Sequence, residues 1–240
     1  MRFDLRQAIF SVVPILALVF VCSQSLRGQD RCLTNDDVKR MVAQLDAHQA
    51  ASLNQKLREE LLRLKENDEK RLREAVADNK KDDALLKRMG DSREENTGLL
   101  CPILKTFGWP TTALVGQDGA AAAFYLLKNS SSPQLQIDLL PVVIAVEKQG
   151  EIPRPALAGY IDRLRLNAGL KQLFGTQATI INGFLVLYPI EGESQIDLRR
   201  KSYELAPLAE YLRVLERNYR LPLIRATVAL TNSFSENMKS

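Results

Sequence analysis

The feature that most constrains the fold of this chain is the run ATIINGFLVLY, Ala178 to Tyr188. Two β-rich segments flank Asn182-Gly183, a dipeptide suited to a two-residue type I′ hairpin turn. Pro189 stops the second segment. No comparable strand signal stands elsewhere, and the other apolar positions recur at spacings of three and four, the period of a helix. The expected fold class is therefore mainly α: one globular domain with an N-terminal helical hairpin and one small β-hairpin at about 176–188.

In chain order, residues 34–90 read as an N-terminal helical region, charged and free of proline. Thr34 or Asn35 can cap it, and Asp36 and Asp37 suit the positive end of the helix dipole. Val38, Met41, Val42 and Leu45 form one apolar stripe. Leu57, Leu61, Leu64, Leu72 and Val76 form a second, with Asp68 in line, where a carboxylate needs an answering arginine. The two helices are expected to join near Ala50–Asn54; a single coiled-coil arm is the alternative. Lys80 to Asn96, with Gly90, reads as a polar connection before a short helix, Thr97 to Thr106. Residues 97–220 then form a helical core that includes the hairpin. Gly116 and Gly119 punctuate a turn around Asp118, and Ala120 to Lys128 is helical. Ser132 and Pro133 open a helix running to Gly150, kinked by Pro141. Pro153 and Pro155 open another, Ala156 to Asn167, closed by Gly169. Ser194 and Pro207 start two more. Residues 221–230 suit a strand or an arm, and 231–240 a mobile tail.

Residues 1–28 read as a secretory signal: Arg2 and Arg6 precede an apolar run, Ala8 to Val21, and small residues follow. That run falls short of the ~20 residues that span a bilayer. Export with cleavage (periplasmic or secreted) is the expectation, and an uncleaved N-terminal membrane anchor is the alternative. In an exported chain, Cys32 and Cys101 are candidates for a disulfide, with two separate buried thiols as the other reading. Setting residues 1–28 aside removes Arg2, Arg6, Arg27 and Asp4, and the formal charge falls from +4 to +2. A charge so small and dispersed argues against nucleic acid as partner. One histidine, His48, and three cysteines leave no basis for a zinc site, so neither a metal nor a cofactor is expected.

A set of short motifs, in order, resembles one known family. They are Asp68 after a leucine-rich helix, GWP at Gly108–Pro110 and LVGxDG at Leu114–Gly119. DR at Asp162–Arg163, GxxQxxGTQ at Gly169–Gln177, PIE at Pro189–Glu191, DxRR at Asp197–Arg200 and LAEY at Leu208–Tyr211 follow. From about Leu57 to Leu212 the chain is similar to a bacterial domain-of-unknown-function family, number 6624 of that class. It departs from the family pattern at three places. KNSS at Lys128–Ser131 puts Asn129 where members carry a histidine, Phe174 replaces a tyrosine, and Gly192 replaces an acid. The resemblance implies that acid–base work by that imidazole, if the family uses it, is lost here.

Most placed polar residues fall between Asp162 and Arg200. Asp162 and Glu191 are the candidate catalytic pair, an acid and a base for hydrolysis of a polar substrate. Arg163, Gln172, Thr176, Gln177 and Arg199 are the candidate ligand-binding residues, an arginine gripping a carboxylate or phosphate at two points. The same residues also suit a buried network that fixes the hairpin, and Asp197 and Arg200 a surface pair. The functional expectation is an exported protein acting as a binding or structural domain. A hydrolase-like enzyme and a helical self-association module are the alternatives, the latter with a second copy or another protein as partner.

Overall fold

A computed structural model describes residues 31–47, 52–77, 83–181 and 183–225. Residues 1–28 (the expected signal), His48, Asn182 and residues 231–240 (the expected tail) lie outside the described residues. The chain divides between Ile152 and Pro153 into two compact units, inside the stretch read from sequence as one core.

The first unit is helical. Its helices are α1 (Asn35–Asp46), α2 (Gln55–Ala77), α3 (Asp83–Phe107), α4 (Thr112–Lys128), α5 (Pro133–Asp138) and α6 (Leu140–Lys148). Thr34 begins α1 with a capping box. Its hydroxyl accepts from Asp37 N (3.1 Å), and the Asp37 carboxylate accepts from Thr34 N (2.9 Å). Helix α1 rests on α6, and α2 packs chiefly on α4 and α3. Leu57, Leu61 and Leu64 are buried as the stripe requires, whereas Leu72 is exposed. Asp68, in line with them, is answered by a tyrosine rather than an arginine: Tyr125 Oη donates to its Oδ2 at 2.8 Å.

Two sequence expectations fail here for physical reasons. The polar connection before Thr97 is the first half of α3, one helix through to Phe107. Its inward stripe runs Ser92, Asn96, Leu100, Leu104, all buried, so half of it is polar and escapes an apolar period. The helix from Pro133 is two helices, not one kinked one, because α5 stops at Asp138 and α6 starts at Leu140. Pro141 takes a first-turn position, where its missing N–H leaves no bond unmade. The expected turn at Gly116 is a break inside α4, with Gly116 at φ 73°. Arg58 holds it in place, donating through Nε and Nη2 to the two oxygens of Asp118 (2.8 and 2.5 Å). A disulfide joins Cys32 to Cys101, with Cα atoms 5.8 Å apart.

The second unit holds α7 (Arg154–Asn167), strands β1 (Ala178–Ile181) and β2 (Phe184–Leu187), a 3-10 turn at Glu193–Gln195, α8 (Ile196–Ser202), α9 (Leu208–Tyr219) and β3 (Leu223–Arg225). The hairpin has the expected register, closing at Ile181↔Phe184 with Gly183 at φ 79°. A third strand extends it: β3 pairs parallel with β2, giving the order β1-β2-β3. One sheet face packs on α8 and α9 through Leu187, Ile196, Leu208 and Leu212, each worth roughly 1.5–3 kcal/mol when buried. Among the described residues no helix is long and apolar enough to cross a membrane.

Candidate functional site

The loop from Gly169 to Gln177 joins α7 to β1 without regular structure, so its backbone groups need partners from side chains. Asp162 supplies most of the acceptors. It is fully buried on α7, and its Oδ1 accepts from Leu173 N (2.6 Å) and Phe174 N (3.0 Å). Its Oδ2 accepts from Thr176 N (3.0 Å) and the Thr176 hydroxyl (2.8 Å). Burial pushes the Asp162 carboxyl above the ordinary carboxylate range, and the bonds from Thr176, Phe174 and Leu173 pull against it.

Gln172, also fully buried, acts as a substitute peptide group. Its Oε1 accepts from Gln177 N (2.9 Å), and its Nε2 donates to Gln177 O (3.1 Å) and Tyr188 O (2.8 Å). Its own backbone bridges to the PIE segment, Gln172 N donating to Pro189 O (3.0 Å) and Glu191 N to Gln172 O (2.9 Å). Gln177 Nε2 reaches back to Gly159 O at 3.3 Å and Thr176 Oγ1 at 3.0 Å.

The loop carbonyls are taken by cations and a phenol. Arg165 Nε donates to Lys171 O (2.7 Å), Arg199 Nε to Leu173 O (2.9 Å), and Arg200 Nη1 to Phe174 O (2.5 Å). Tyr211 Oη donates to Thr176 O (3.0 Å), and its ring lies 4.8 Å beneath the Arg200 guanidinium. Arg199 also donates to Gly192 O and Glu191 O, and Arg200 to Ala206 O. Burial lowers the pKa of both Arg199 and Arg200 from the ordinary guanidinium value. Glu191 accepts from Arg165 Nη2; the arginine is buried, while the glutamate side chain is 54% exposed.

Asp162, Gln172, Thr176, Gln177, Arg199 and the backbone of Glu191 thus come together around one loop. Arg163 is half-buried on α7, and it is Arg165, two residues further on, that reaches Glu191. The expected surface pair of Asp197 and Arg200 is not formed. Arg200 is buried against carbonyls, and Asp197 Oδ1 accepts from Leu208 N (2.8 Å) at the start of α9. Arg165, Arg200 and Tyr211 are the members sequence reasoning missed. Arg165 lies three residues after Asp162, and the other two stand in the DxRR and LAEY motifs.

What the arrangement does chemically is satisfy a loop. Both oxygens of Asp162 are occupied, and the guanidinium groups of Arg199 and Arg200 point at carbonyls. No curated protein and no solved structure matches the chain. A family model described as a family of unknown function matches residues 55–224, which include both the Asp68 helix and the whole Asp162–Tyr211 cluster. The chain belongs to that family of unknown function, DUF6624.

Proposed function

We propose that this is an exported bacterial protein that acts as a binding or structural domain, not through catalysis by Asp162 and Glu191. The observation that carries the reading is the occupancy of Asp162. A general acid or base must reach a substrate proton, and this carboxylate has no exposed surface and accepts from four donors of its own loop. The Cys32–Cys101 bridge supports export, since such disulfides belong to oxidising compartments. Cell fractionation with intact-mass measurement tests that part. A periplasmic or secreted chain starting between about residues 23 and 29, with both remaining thiols blocked to alkylation, is expected. A cytoplasmic chain that keeps residue 1 would contradict export.

The non-catalytic part makes a prediction at Glu191. Its ion pair is half open to solvent, so Glu191→Gln is expected to change stability by about 1 kcal/mol or less. Arg165→Ala removes a buried donor as well and is expected to cost about 2–4 kcal/mol. Urea denaturation compares them. If Glu191→Gln instead raises stability above wild type, a strained functional carboxylate is indicated and the reading fails.

A further inference from the structure

The sheet of the second unit has two edges, and its register shows what each presents. Leu185 N donates to Pro222 O on the β3 side of β2, and Tyr188 N to Gln177 O on the β1 side. Backbone groups alternate in direction along a strand, so Phe184 and Val186 also face β1, opposite Ile181 and Thr179. Ala178 and Ile180 are then the non-hydrogen-bonded partners of Leu187 and Leu185, and their N–H and C=O groups turn outward from the sheet. Among the described residues no backbone or side-chain group bonds to them there.

Edge strands are ordinarily guarded by charge, by proline or by a bulge. Strand β3 has such guards, with Pro222 just before it and Arg225 at its end. Strand β1 has none of them: its sequence ATII is uncharged, rich in β-branched residues and paired without a bulge. Ile180 is 50% exposed, and Phe184 on the neighbouring strand is exposed as well.

The spacing of the outward groups selects their partner. A second β1, laid antiparallel about a two-fold axis at Thr179, sets Ala178 of each copy opposite Ile180 of the other. Every outward N–H then meets an outward C=O, with none left over. On one face Ile180 lies beside the small Ala178, and on the other the two Thr179 side chains meet as a favourable cross-strand pair. Moving the axis by one residue either way fails. It calls on the hairpin turn, or on Thr176, whose N–H and C=O are already bonded to Asp162 and Tyr211. We propose that this protein self-associates through the free edge of β1, a second copy continuing the sheet across Thr179. The surface is separate from the Asp162 network, and the proposal does not rest on that reading.

Sedimentation velocity of the mature chain from about 10 to 500 µM tests this, a range set by the weak hold of so small an interface. The mean mass is expected to rise toward twice that of the monomer. Thr179→Lys sets two like charges face to face on the axis and is expected to weaken the dimer at least about tenfold. A chain that stays monomeric over the whole range overturns the proposal, as does a dimer that this variant leaves unchanged. Thr179→Cys guards against a variant that fails to fold, and it reads the register directly. Mild oxidation is expected to link it into a covalent dimer at least about tenfold faster than Leu198→Cys, which is exposed on α8. Equal rates overturn the proposal.

Discussion

Asp118 and Asp162 are both carboxylates answered by the fold, and they respond to acid with opposite signs. The hydrogen bonds and charge of Arg58 hold Asp118 well below the usual range, at about 2. Its contribution to stability is therefore present above about pH 4 and is lost as pH falls toward about 2. Asp162, raised by burial, shifts stability the other way over the acid range. Comparison with Asp118→Asn isolates the first effect: the gap between wild type and variant is expected to close between about pH 4 and 2 in thermal melts. A constant gap would show that Arg58 gains nothing from the charge. Neither residue's partner was legible in the sequence. Asp118 is bound 60 positions away by Arg58, and Asp162 by backbone N–H groups, which leave no signature in residue type.

At the scale of elements, the hairpin was legible in full register because its turn dipeptide and the two β-rich apolar runs beside it act locally. The caps at Thr34 and Ser132 were legible for the same reason. Helix α3 was not, since Ser92 and Asn96 carry its buried stripe. The loop that precedes β1 was legible only as a motif. Its shape depends on Arg199 and Arg200, each reaching a carbonyl 26 positions away. Gly175 shows how tightly the loop is held. Its φ is 66°, and a Cβ there would sit 2.9 Å from Ile190 Cδ1 and 3.0 Å from Leu208 Cδ1. Gly175→Ala is expected to cost about 1–3 kcal/mol in urea denaturation, from backbone strain and overpacking together. A loss below a few tenths would mean that the loop relaxes freely.

For the whole molecule, the two units are stabilised by different means. In the first, the Cys32–Cys101 bridge closes a loop spanning 69 positions, worth on the order of 4 kcal/mol by loop entropy. The double serine variant is expected to lose about that much, read through the fluorescence of Trp109, which is buried in the same unit. The second unit has no bridge among its described residues and depends instead on the Asp162 network. That network is the account's central claim, and equilibrium urea unfolding of Asp162→Asn tests it most directly. Far-ultraviolet circular dichroism is the probe to use, because the single tryptophan reports on the first unit. Replacing one carboxylate oxygen by an amide removes the charge, sets an N–H group against backbone donors and leaves at least one of them, Leu173 N or Thr176 N, unpaired. The account predicts a loss of about 3 kcal/mol or more. Unchanged or increased stability would contradict it and mark Asp162 as a residue kept for chemistry at the expense of the fold.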